Sequence, residues 1–116
     1  MDDTQRPTRL EDATALESFL EHNEVALVEF YTSGCSKCQA MEPILGNVAR
    51  ATGISVGLVN PGDDIGLVER FDIRSVPTLV LFESGEERTR WAEGVVGAAD
   101  LVAVLEESVP EAVSTD

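Results

Sequence analysis

Lysine is almost absent from this chain of 116 residues: eight bases stand against 22 acids, seven of the eight are arginine, and Lys37 is the single lysine. The net charge of −14 repels nucleic acid and anionic membranes, so neither is expected as a partner. A solvated acidic surface is the plainest explanation of the excess. Such a surface also suits a high-salt cytoplasm, where counterions screen its self-repulsion. Long apolar runs are missing as well: none approaches the roughly 20 residues of a membrane-spanning helix. The first residues, Met1-Asp2-Asp3-Thr4, are acidic where a secretory leader would be basic. A soluble cytoplasmic protein is therefore expected, with one core, because the length is too small for two.

Cysteine occurs only twice, as Cys35 and Cys38, and histidine once, as His22. Two cysteines cannot build the framework of a small secreted scaffold, and a close pair in a reducing compartment suggests redox chemistry or metal. Zinc usually takes four ligands. With one histidine at an exposed helix end, the metal reading needs a site shared across a dimer. An inert pair of core thiols is the other alternative. No metal is expected.

Along the chain, residues 1–9 are polar and contain Pro7, which suggests a flexible arm, with a short strand as the alternative. Leu10, Ala13, Leu16, Phe19 and Leu20 recur at helical spacing up to His22. Val25 to Tyr31 is nearly all apolar, as in a strand buried on both faces. After Thr32-Ser33-Gly34, a helix is expected from Cys35 to Ala51, kinked at Pro43 and stopped at Gly53. Ile54 to Val59 is a strand, and the turn at residues 60–64 leads to a short helix around Ile65 to Phe71. Thr78 to Phe82 and Glu87 to Ala92 form a hairpin through Gly85. Ala98 to Val109 closes the domain as a helix with Leu101, Val102, Val104 and Leu105 inward. The domain thus spans residues 10–109, with a tail at 110–116. Alternating elements followed by a hairpin imply an α/β fold, a mixed central sheet with helices on both faces.

In Cys35-Ser36-Lys37-Cys38 the thiols are three residues apart at a helix start, on one face and within disulfide reach. Unpaired N–H groups and the macrodipole favour a thiolate on Cys35, the attacking form, while Cys38 lies deeper and resolves. Lys37 adds a cation beside the pair, and Ser36 and Lys37 together tune it. The bland alternative is a Lys37 that points into solvent. Glu29 is the other unusual residue. A carboxylate in an apolar strand loses hydration, which raises its pKa and suits a proton shuttle. An edge-strand glutamate reaching solvent is the alternative.

Cys35 and Cys38 follow a buried strand and open a helix, Pro43 comes five residues after Cys38, and Ser75-Val76-Pro77-Thr78 puts its proline 39 residues after Cys38. With the Gly85 turn and Gly94 beyond the hairpin, this set resembles the thioredoxin family over residues 10 to 109. The resemblance implies a thioredoxin-like fold that reduces protein disulfides, with a cis Pro77 facing the disulfide and Val76 pairing with the substrate chain. It makes Gly34, Val76, Pro77 and Gly94 the docking rim, and Glu29 the buried acid that serves Cys38. It also implies a thioredoxin reductase-type electron donor, disulfide-containing clients, no bound cofactor and a monomer. The sequence departs from the family pattern at Gly34, where tryptophan is usual, at Ser36-Lys37 in place of Gly-Pro, at Glu29 in place of aspartate, and at Leu58, where a lysine often stands near the acid. Trp91 belongs to the hairpin and is expected to pack. Glutaredoxin-like or oxidase-leaning chemistry, and a binding module without chemistry, remain as alternatives.

If the acidic surface reflects a high-salt cytoplasm, the melting temperature should rise by roughly 5 °C or more from dilute buffer to molar potassium chloride. A melting temperature flat in salt contradicts this reading.

Overall fold

The computed structural model describes residues 6–62 and 64–113. The start of the expected arm, Asp63 in the turn and the end of the tail lie outside the described residues. The elements run β1 (Thr8–Leu10), α1 (Ala13–His22), β2 (Val25–Phe30), α2 (Ser36–Thr52), β3 (Ser55–Val59), α3 (Ile65–Arg70), β4 (Thr78–Glu83), β5 (Glu86–Trp91) and α4 (Ala98–Ser108), with a closing 3-10 turn at Pro110–Ala112. The sheet order is β1-β3-β2-β4-β5. β1 and β2 pair with β3 in parallel, and β4 pairs antiparallel with β2 and β5.

β2 is the central strand, bonded on both sides, which accounts for its apolar run. Ala26, Val28 and Phe30 face one way, into a core with Leu16, Leu20, Leu67, Val80 and Phe82. Leu27 faces the other way, with Leu79 and Leu81, under Met41 and Leu45 of α2 and Leu101 and Leu105 of α4. Successive side chains of a strand alternate between faces, so Glu29 shares the side of Leu27, beneath α2.

Two expectations are corrected near the start. Leu10 ends β1 and does not begin the first helix. The helix starts later because the Asp12 carboxylate accepts the Ala15 N–H at 2.8 Å, a side-chain cap that fixes the first turn. Thr8 and Arg9, expected in a flexible arm with a short strand as the alternative, take the alternative: they pair with Gly57 and Leu58 and cover what would otherwise be the open edge of β3. At the other end, Ala112 and Val113 pack against the core beside α2 and α4.

Elsewhere the elements match expectation to within a residue or two. α2 runs through Pro43 and stops at Gly53, whose φ of 76° and N–H to Ala49 O close the helix. Ser84 and Gly85, with φ of 54° and 79°, make the hairpin turn between β4 and β5. Trp91 packs on the α2 side of the sheet. Arg90 donates to Phe71 O at 2.8 Å and Asp72 O at 3.1 Å, which ties β5 to the end of α3. Among the described residues no helix is long and apolar enough to cross a membrane.

Candidate active site

The two cysteines stand where β2 gives way to α2. Gly34 takes a φ of 79°, a left-handed conformation that turns the chain from the strand end into the helix. Cys35 is the helix cap, and its Sγ accepts the Cys38 N–H at 3.1 Å. The pair is disulfide-bonded with Cα atoms 5.2 Å apart, inside the usual range for such a bridge. Cys35 is partly exposed, whereas Cys38 is 3% exposed. The amides of a first helical turn have no partner within the helix. One of them, that of Cys38, is aimed at Cys35 Sγ.

Ser36 and Lys37 are exposed on the first turn of α2. Lys37 folds toward the segment after β5: a methyl group on Gly94 would lie 3.9 Å from both its Cδ and its Nζ. The Val76–Pro77 bond is cis, as the resemblance implies, and Pro77 is buried with Val76 half-buried. Three bonds hold the surrounding segments in place. Thr78 Oγ1 donates to Ser75 O at 2.6 Å, Ser75 Oγ donates to Ala92 O at 3.3 Å, and the Val96 N–H reaches Met41 Sδ at 3.3 Å. The proline loop is thereby tied to the segment around Gly94, and that segment to α2. A groove of about 490 Å³ lined by Trp91, Ala92, Glu93, Val95 and Val96 runs alongside.

Glu29 is 1% exposed, and neither of its carboxylate oxygens has a hydrogen-bond partner among the described residues. Its place on the central strand rules out the edge-strand alternative. Loss of hydration pushes its pKa up from 4.5 to about 7, with Glu42 pushing the same way and Arg9 opposing. Sequence reasoning missed these two residues. Arg9 donates to Glu42 Oε1 at 2.9 Å and to Tyr31 Oη at 3.0 Å. One signal was available: Glu42 follows Cys38 by four residues on the same helix, so the two share a face.

A cysteine pair able to alternate between dithiol and disulfide, capping a helix beside a cis-proline loop, defines a thiol-disulfide oxidoreductase. The thioredoxin family model matches residues 8–107, and the chain belongs to that family. Thioredoxin of Mycobacterium tuberculosis is 31% identical over 104 residues, covering 88% of this chain and 89% of the relative. Thioredoxin of Chlamydia pneumoniae is 34% identical over 77 residues, or 66% and 72% of the two chains. Among solved structures, a mutant thioredoxin from Halobacterium salinarum superposes with a TM-score of 0.84 at 27% identity, covering 93% of this chain and 95% of the other. Thioredoxin f2 of Chlamydomonas reinhardtii, at 21% identity and a TM-score of 0.78, shares the fold. The thioredoxin-like architecture and protein-disulfide reductase activity follow from membership together with the Cys35–Cys38 pair. A reductase that supplies electrons, and disulfide-containing clients that receive them, follow in general terms.

The carboxyl group of Glu29 makes stability depend on pH. With its pKa raised in the folded state, the native protein binds the extra proton between pH 4.5 and about 7. Stability is therefore lost as pH rises through that window, by an amount on the order of 3 kcal/mol. Glu29→Leu should stabilise the protein against urea by about 2–3 kcal/mol at pH 8 and by much less at pH 5. An equal gain at both values, or a loss at pH 8, contradicts a buried ionising carboxyl.

Proposed function

We propose that Cys35 attacks the client disulfide and Cys38 resolves the intermediate, with Glu29 carrying the proton. The observation that carries this reading is the cap at the head of α2, where the Cys38 amide donates to Cys35 Sγ. The Cys35 thiolate attacks one client sulfur, forming a mixed disulfide and releasing the other sulfur as a thiolate that takes up a proton. The Cys38 thiol then loses its proton to the Glu29 carboxylate, and the new thiolate attacks Cys35 Sγ. The Cys35–Cys38 disulfide forms and the second client sulfur leaves as a thiolate, which takes up the proton held by Glu29. The client gains two protons, one from solvent and one from Cys38 by way of Glu29, and two electrons, which the partner reductase returns to the pair.

Gly34, Val76, Pro77 and Gly94 form the surface on which an extended client chain docks, with the backbone of Val76 pairing to it. The ties from Ser75 to Ala92 and from Val96 to Met41 support this by keeping the surface rigid. Ser36 and Lys37 tune the pair, and the ammonium of Lys37 favours the Cys35 thiolate. The protein acts as a monomer in the cytoplasm, without a bound cofactor. Its acid-rich, lysine-poor surface supports a cytoplasm of high salt.

Alkylation of the reduced protein tests these roles. Cys35 should react first at neutral pH. Cys38→Ser should trap clients as stable mixed disulfides, and Cys35→Ser should lose all reduction of insulin-type disulfides. In Lys37→Gln the pH midpoint of Cys35 alkylation should rise at low salt. Faster labelling of Cys38, or equal trapping by both serine variants, contradicts the assignment of roles; an unmoved midpoint in Lys37→Gln removes that residue from it.

A further inference from the structure

The unpartnered carboxylate of Glu29 lies in a row that crosses the whole sheet. In register, Arg9 of β1 stands beside Leu58 of β3, Leu58 beside Glu29, Glu29 beside Leu79 of β4, and Leu79 beside Trp91 of β5. Paired positions share a face of the sheet, so all five belong to the side covered by α2. Leu58, Leu79 and Trp91 are uncharged, and α4 adds Leu101 to the same core. The charged groups that act on Glu29 are Glu42 of α2 and Arg9 of β1; Tyr31 follows β2 directly and Cys38 stands one turn before Glu42 on α2.

Arg9 is held at that row by contacts from two other segments. It donates to Glu42 Oε1 at 2.9 Å and to Tyr31 Oη at 3.0 Å, and its guanidinium carbon lies 5.6 Å from the centre of the Tyr31 ring. The side chains of Arg9 and Glu42 are 55% and 37% exposed, and an ion pair so open to water adds little to stability. Its field still reaches Glu29, which is itself buried where charges are poorly screened.

We propose that Arg9 is a positioning residue for the resolving step: clamped by Glu42 and Tyr31, it supplies a positive field that offsets part of what holds the proton on Glu29, in the row where Leu58 supplies none. This rests on the reading of Glu29 as the proton acceptor for Cys38. Arg9 and Glu42 push the carboxyl of Glu29 in opposite directions, so each half of the pair cancels part of the other. Removing either leaves its partner's field unopposed.

The two neutral variants separate this role from a structural one, since both break the same ion pair. The midpoint of Glu29 ionisation, followed by carboxyl carbon NMR on the reduced protein at low salt, should rise by about half a pH unit in Arg9→Gln and fall by a similar amount in Glu42→Gln. Arg9→Lys should restore the wild-type midpoint. Shifts of the same sign in the two variants, or none, overturn the proposal. The pH profile of mixed-disulfide resolution, recorded on the same variants, tests the underlying reading separately. If it follows the Glu29 midpoints, Glu29 is the acceptor. If it stays fixed while they move, Arg9 still governs Glu29 but the acceptor is another group.

Discussion

The hydrogen bond from the Cys38 amide to Cys35 Sγ fixes the first turn of α2, and the rest of the site is arranged around that turn. It makes a cysteine the cap of the helix, a place that side-chain oxygens usually fill. Cys35 Sγ consequently stands at the positive end of a 17-residue helix while Cys38, within its first turn, is buried. Exposure of one thiol and burial of the other are both consequences of helical geometry. The turn is held from below by β2, whose pairing to β3 and β4 leaves its end no freedom, and from the side by Met41, to which the Val96 amide is bonded.

Burial of Glu29 works against this economy of packing. A leucine in its place would extend the apolar face formed by Leu27 and Leu79, and the carboxyl instead loses hydration with no hydrogen-bond partner among the described residues. That cost falls on a position of the central strand, on the side of the sheet covered by α2. A carboxyl that ionises near neutrality can accept a proton and return it within the working range of a thiol pair. Arg9 stands at the end of the same row, where Glu42 of α2 pairs with it at the solvent-exposed rim.

Much of this was legible from residue order. The apolar run of β2 announced a central strand, Cys35 and Cys38 after Gly34 announced a helix start, and the single carboxylate inside that run stood out because it broke the pattern. The Ser75-Val76-Pro77-Thr78 stretch was recognisable only as part of a set. What escaped was governed by long-range contact. β1 has three residues, too few to show a period, and its pairing depends on an open edge of β3 that no local pattern reveals. Arg9 and Glu42 are 33 residues apart and meet only once β1 has docked. The helical spacing from Leu10 onward was misleading because Leu10 is apolar for a strand's reason, and the Asp12 cap overrode the periodicity. The same holds for the ties between Ser75 and Ala92 and between Arg90 and Phe71, which link segments distant in the chain.

Transfer of the Cys38 proton to Glu29 is tested by the rate at which a Cys35-linked mixed disulfide releases its second client thiol, measured against pH by rapid quench in the wild type and in Glu29→Gln. In the wild type the rate should inflect near pH 7, as Glu29 ionises. In Glu29→Gln that inflection should vanish and the rate at pH 7.5 should fall by roughly tenfold or more, as expected when a positioned proton acceptor is removed. The same inflection and rate in both proteins would contradict the account and assign the proton to another acceptor.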